Sequence, residues 1–159
     1  MGWKYIDVEV LRSIDLFKGL HDRSLQEIIV LMSIIDVKMG HHIFEEGDPS
    51  KALYLVLEGE VRISKTIPGV GEEALAFLPQ GSCFGEMALI EEREVRSASA
   101  IANKDCELAM LRRQDFVNLM ERDSAFAVDV LWGFVRTLSM RLRNSNDKVT
   151  FLAMSSMFE

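Results

Sequence analysis

The spacing of apolar residues changes twice along the chain. Over residues 13–35 it is helical. Leu16, Phe17 and Leu20 form a short apolar face, and Leu25, Ile28, Ile29, Met32 and Ile35 follow in steps of three and four. Asp22 or Ser24 is the expected cap of the second helix. Over residues 36–112 the pattern shortens into β-prone runs, separated by glycines 40, 47, 59, 69, 71 and 81 and prolines 49, 68 and 79. Runs such as ALYLVLEGE and EEALAFLPQG, at intervals of roughly 8–12 residues, predict an antiparallel sandwich or barrel. Alternation is clearest in Val61-Arg62-Ile63-Ser64 and over residues 74–78. One segment breaks this rhythm: residues 85–90 read as a single helical turn between strands.

From residue 113 the period is helical again. Residues 115–122 form a short helix, and Asp123 and Ser124 read as a stop followed by a new cap. A long proline-free helix then runs to about residue 153, weakened slightly at Gly133. In it Leu131, Val135, Leu138, Leu142, Ser145, Val149 and Leu152 alternate in steps of four and three. Written as heptads, Val135, Leu142 and Val149 take position a, and Leu131, Leu138, Ser145 and Leu152 take position d. Valine and leucine so placed favour a parallel two-stranded coiled coil, hence a homodimer. The alternative is that this stripe packs on the chain's own β segment. Ser145 breaks the apolar seam and needs a partner if buried. The three segments, 1–35, 36–112 and 113–159, are expected to form one domain.

Composition narrows the function. With 159 residues, 48% apolar and 27% charged, the chain holds an ordinary core with no need of a disulfide framework or metal. Its two cysteines, Cys83 and Cys106, have no CxxC spacing and are expected to be reduced thiols. They are also too few for an iron–sulfur cluster. No leader pattern is visible, Ile6 stands where a myristoylation signal wants Ser or Thr, and no apolar run is long enough to span a bilayer. The expectation is a cytoplasmic, soluble protein that does not engage a membrane. A net charge of −7 argues against a nucleic-acid surface, although one buried arginine suffices for a ligand with a single phosphate. His41 and His42, adjacent in a strand, point to opposite faces and do not chelate together. No catalytic triad or Cys–His motif is visible, so an enzyme is not expected.

The segment FGEMALIEEREVRSA, residues 84–98, carries the chemistry. It sets Glu86 and Arg96 ten positions apart, with Gly85 in front and Ser97-Ala98 behind. One reading is a solvated loop whose acid and arginine form an exposed pair. The other is a ligand pocket. Gly85 lets backbone approach a ligand, and the first N–H groups around Met87 and Ala88 lack helical partners and favour an anion. Arg96 supplies a bidentate guanidinium and Ser97 a hydroxyl. Glu86, an acceptor, suits a sugar hydroxyl. Together these describe a site for a ribose bearing a phosphate.

Phe84-Gly85-Glu86-Met87-Ala88-Leu89, followed by Arg96-Ser97-Ala98, resembles the phosphate-binding cassette of cyclic nucleotide-binding domains. Such domains occur in the cyclic AMP receptor protein family and in regulatory subunits of cyclic AMP-dependent protein kinase. DLFKGL at 15–20, IFEEGDPSKALYLVLEGEVRISK at 43–65 and LSMRLRNSNDKV at 138–149 extend the resemblance over nearly the whole chain. It implies a mainly β fold: an antiparallel β-roll, a double-stranded jelly-roll-like barrel, with N-terminal helices and a long C-terminal dimerisation helix. It implies that Glu86 binds the ribose 2′-hydroxyl and that Arg96 and Ser97, with backbone N–H groups of the cassette, hold the cyclic phosphate. Ser145 and Asn146 lie where that family reaches the base. The implied ligand is cAMP, and Ser97-Ala98 leaves cGMP open. No other cofactor is implied.

Receptor proteins of this family continue into a winged helix-turn-helix domain. This sequence stops about 10 residues after Val149, which leaves no room for a recognition helix. The expectations are a stand-alone sensor with an unknown protein effector and no DNA binding of its own, or a fragment of a transcriptional regulator. A β-roll interaction module whose pocket is vestigial or takes another ligand is the alternative.

Overall fold

The computed structural model describes residues 6–90 and 95–155; the side chains of Met87, Ile90, Arg141, Asn144, Ser145 and residues 147–155 lie outside that description. Two short helices, α1 (Val8–Arg12) and α2 (Asp22–Leu31), precede β1 (Ser33–Val37), β2 (His42–Phe44), β3 (Ala52–Glu58), β4 (Glu60–Ile67), β5 (Gly71–Pro79) and β6 (Cys83–Phe84). The turn α3 (Met87–Ile90) follows, then β7 (Ser99–Ala102), β8 (Cys106–Arg112), α4 (Arg113–Arg122) and α5 (Ser124–Ser155). Among the described residues the strands form two four-stranded sheets, β1-β8-β3-β6 and β2-β7-β4-β5, paired antiparallel throughout. This is the expected antiparallel roll with flanking helices.

The apolar run of β3 sets the layering. Every residue from Ala52 to Leu57 is buried. Successive strand side chains point to opposite faces. Leu53, Leu55 and Leu57 therefore meet the helical layer of Leu11, Phe17, Leu25, Ile28, Phe116, Phe126 and Val130. Ala52, Tyr54 and Val56 face the second sheet, represented by Val61 and Ala100, in one cluster with Phe84 and Leu108 of their own sheet. The sheet carrying β3 is thus covered on both sides, which is why its sequence does not alternate. Each fully buried leucine contributes about 1.5–3 kcal/mol relative to exposure.

The N-terminal reading needs three corrections. Residues 33–35 are strand, not helix, because Ser33–Val37 pairs in register with β8. Residues 13–20 form successive turns, with Phe17 N bonded to Ile14 O at 2.9 Å and Leu20 N to Phe17 O at 3.0 Å. Ile14, Leu16, Phe17 and Leu20 are buried all the same. Neither Asp22 nor Ser24 caps α2: His21 holds the cap position, Asp22 is taken up by Arg12, and Ser24 is buried inside the helix. The two-residue strand β6 was too short to register as a β run.

In α5 the heptad stripe points away from the chain's own core. Leu131, Val135, Leu138 and Leu142 are 54%, 55%, 50% and 63% exposed, whereas Phe126, Val130, Phe134 and Thr137 on the opposite face are buried. Packing of the described stripe on the β segment is therefore excluded; Val149 and Leu152 fall outside the described side chains. The break before α5 is as expected, but the cap is Asp123 and not Ser124, which is already the first helical residue. Asp123 accepts the N–H of Phe126 through Oδ1 at 3.0 Å, and Arg23 of α2 reaches its other oxygen at 2.5 Å. No described helix is long and apolar enough to cross a membrane.

Candidate functional site

Arg96 is the centre of the site. Its backbone is fixed first: its N–H donates to Asp48 O at 2.7 Å, and its carbonyl accepts from Gly47 N at 2.8 Å. Val95 beside it bridges to Pro49. These bonds pin the strand entering β7 against the turn after β2, and so aim the side chain inward, where the residue is only 6% exposed. The guanidinium carbon stands 3.9 Å from the Phe44 ring centroid and 5.7 Å from that of Tyr54. Phe44, Tyr54 and Phe84 form an aromatic cluster beneath it, with Tyr54 and Phe84 stacked at 5.3 Å. Arg96 Nη2 donates to the Ala52 carbonyl at 2.7 Å, while its buried Nε has no hydrogen-bond partner.

Burial lowers the affinity of the Arg96 guanidinium for its proton, and the neighbouring Tyr54 and Asp48 oppose that. Burial likewise raises the Tyr54 phenol, with Arg96 pulling the other way. A guanidinium nonetheless stays charged in a protein. Among the described residues no carboxylate forms an ion pair with it. A buried cation without an ion-pair partner carries a desolvation cost that an anion beside it would offset.

Gly85 makes the packing possible. Its φ of +74° is in the left-handed region, and a Cβ there would stand 2.6 Å from Arg96 Nη1 and 3.0 Å from Ala52 O. Arg96, Gly85, Glu86, Ser97 and Ala98 all line one cavity of about 240 Å³. Ser50, Phe44, Ile63, Phe84 and Val95 complete its wall. Cation, carboxylate and hydroxyls therefore face a single space with apolar sides. The solvated-loop reading of Arg96 falls, because the side chain is buried.

Of the remaining expected positions, Ala88 and Asn146 are not in the described lining of this cavity. Ala88 is buried against the interior, and its N–H donates to Gly85 O at 3.1 Å to close the α3 turn, so the expectation that this N–H is left for an anion does not hold. Asn146 is exposed on α5 and is not part of the described cavity wall. The Met87 and Ser145 side chains are outside the described ones. Sequence reasoning missed Phe44, Ile63 and Ser50 as wall residues. Alternation in β4 places Ile63 on the same face as Val61 and was the available signal; for Phe44 and Ser50 there was none, since their roles arise from strand pairing. The histidines His41 and His42 are both exposed, and among the described residues no group of three His, Cys, Asp or Glu is arranged to hold a metal ion.

Comparisons with known proteins give the family. The family model for the cyclic nucleotide-binding domain matches residues 34–123. The Cyclic AMP receptor protein of Thermus thermophilus is 38% identical over 141 residues, covering 87% of this chain and 62% of that protein. The chain thus spans about 62% of the length of its bacterial receptor relatives. Among solved structures, the N-terminal domain of a transcriptional regulator from Streptomyces coelicolor superposes with a TM-score of 0.75 at 31% identity, covering 88% of this chain and 94% of that one. The regulatory domain of Toxoplasma gondii PKA with cAMP gives a TM-score of 0.65 at 31% identity, over 70% of this chain and 42% of that one. With the cassette, the roll and the family match in agreement, the chain belongs to the cyclic nucleotide-binding domain family of the CRP-like regulators and PKA regulatory subunits.

Proposed function

We propose that the chain is a cAMP-responsive regulatory module, not an enzyme. In this reading Arg96 and Ser97 hold the cyclic phosphate, with backbone N–H groups of the cassette. Glu86 accepts from the ribose 2′-hydroxyl. Ser145 and Asn146 reach the base when α5 closes. The carrying observation is the buried Arg96 guanidinium, set in a cavity wall with no described ion-pair partner and with Nε unsatisfied. A single cyclic phosphate would supply the missing charge and acceptors. The names of the Thermus receptor and the Toxoplasma complex support cAMP, and cGMP-dependent protein kinase 2 of Mus musculus, 31% identical over 108 residues, keeps cGMP open.

Regulation would run through α5. Two chains associate along the exposed seam of Leu131, Val135, Leu138 and Leu142. The helix pivots at Asp123-Ser124, and the nucleotide favours the closed position to the extent that it binds that position more tightly. The readout is a protein effector in the cytoplasm; at a net charge of −7 this segment is not itself the DNA-contacting part.

A second reading has its own observation. Arg96 also holds the Ala52 carbonyl and stacks on Phe44, so it serves the fold as well. A β-roll interaction module with a vestigial pocket would keep it for that reason. Isothermal titration with cAMP and cGMP, on the native chain and on Arg96→Ala, separates the two. Saturable binding that is lost in a folded variant supports the sensor. No heat with either nucleotide on a folded native chain supports the interaction module.

A further inference from the structure

A second cleft of about 570 Å³ adjoins the proposed nucleotide cavity. It is lined by Tyr54, Met110 and Val95, the last 57% exposed, and by Lys51, Arg112 and Arg113. Three cations lining one cleft stand out in a chain of net charge −7. Arg112 has only a solvated pairing with Asp115 at 3.5 Å, and the buried Nε of Arg113 has no hydrogen-bond partner. The first turn of α4, which no side chain caps, belongs to the same lining. Among the described residues the charged groups lining the cleft are donors only, with no carboxylate to accept from a sugar.

We infer that this cleft docks an acidic peptide segment of a partner protein, anchored by one large apolar side chain. Charge complementarity names the partner's sign, and Tyr54, Val95 and Met110 among the cations give an apolar side chain something to contact. Three clustered cations are too few for an extended phosphate backbone.

The position of the cleft also makes it a readout surface; this part rests on the nucleotide reading. Ser50 and Val95 line both cavities. Ala52, whose carbonyl holds Arg96 Nη2 at 2.7 Å, is in the wall of the second. A phosphate that draws Arg96 away from Ala52 therefore disturbs the peptide cleft, and by linkage the peptide alters nucleotide affinity equally.

The test is fluorescence anisotropy with fluorescein-labelled peptides of Asp, Glu, Ser and Gly around a single Trp or Leu. Asn/Gln counterparts serve as controls. The acidic peptides should bind about tenfold or more tightly than the neutral ones, and salt should weaken them. Lys51→Glu with Arg112→Glu, both on exposed side chains, should abolish binding and leave the melting temperature and the cAMP titration unchanged. Equal binding of acidic and neutral peptides, no binding by either, or indifference to the charge reversal overturns the proposal. So does a change in the oligomeric state of the charge-reversed chain alone, which makes a second copy the occupant. Saturating cAMP should shift peptide affinity by about fivefold or more, and no shift overturns the coupling. A chain that binds peptide but takes up no cAMP refutes the nucleotide reading and leaves the docking cleft standing.

Discussion

Gly85 and Arg96 are packed so closely that a Cβ on the glycine would stand 2.6 Å from the arginine Nη1. The same glycine has a φ of +74°, which an L side chain adopts only under strain. Gly85→Ala therefore meets two penalties: backbone strain of about 1–3 kcal/mol, and displacement of the guanidinium from its place over Phe44. The expected outcome is a lower urea midpoint together with cAMP binding weakened about tenfold or more. A variant that lost stability but bound the nucleotide at native affinity would show that Arg96 need not sit where it does.

Close packing of a different kind joins Gly133 of α5 to Leu20, where an added Cβ would stand 2.7 Å from Leu20 Cδ2. Leu20 is 2% exposed and has little room to retreat. The sequence marks Gly133 as a weak point in a helix, and alanine is the better helix former by about 1 kcal/mol. The structure sets a close contact against that gain already in alanine, whose Cβ is the atom at 2.7 Å, and the crowding grows with anything larger. Gly133→Leu should destabilise by about 1–3 kcal/mol through overpacking, read as a lower urea midpoint at unchanged m. An unaltered midpoint would mean that the N-terminal turns move aside freely.

The two glycines also show how far the sequence could be read. Gly85 was visible because it stands in a contiguous motif, where local spacing and chemistry coincide. Ser97 and Ala98 were visible for the same reason, and they line the cavity with Arg96. The role of Gly133 depends on a residue 113 positions away, Leu20, and no periodicity encodes such a contact. Ile35 shows the opposite failure. It continues a helical spacing from Leu25, yet tertiary pairing with β8 places it in a strand. Phe44 and Ala52, which hold the Arg96 side chain, are brought to it only by the sheet pairing.

His21 and Asp129 tie the start of α2 to α5. Asp129 accepts the His21 backbone N–H at 3.0 Å through Oδ2, and its Oδ1 is 2.8 Å from His21 Nδ1. Burial alone would raise the Asp129 carboxyl. The His21 N–H, the Ser24 hydroxyl and the His21 ring outweigh it and leave the group below its ordinary value. A carboxyl depressed in the folded state adds stability that is present above its unfolded-state value and is lost as the pH falls through the folded value. Asp129→Asn should therefore cost about 1 kcal/mol at neutral pH. The gap between variant and native melting temperatures should close as the pH drops below the usual carboxylate range. A gap that stayed constant across that range would assign the effect to packing and not to charge.

The exposed seam of α5 gives the test of assembly. Leu138 is 50% exposed and takes position d between Val135 and Leu142, which are also exposed. In a lone chain a glutamate there stays in water and costs little, since surface substitutions usually change stability by less than about 0.5 kcal/mol. In a parallel pair of helices the two glutamates would face each other across the seam, where like charges oppose association. Sedimentation equilibrium should therefore show Leu138→Glu as a monomer at concentrations where the native chain is a dimer, with both β-rolls intact by circular dichroism. Since the proposed base contacts of Ser145 and Asn146 lie further along the same helix, the monomeric variant should also bind cAMP more weakly if one protomer's helix completes its partner's site. Undiminished affinity in a monomer would place the whole nucleotide site within one chain. A native chain that sediments as a monomer would remove α5 as the dimer seam.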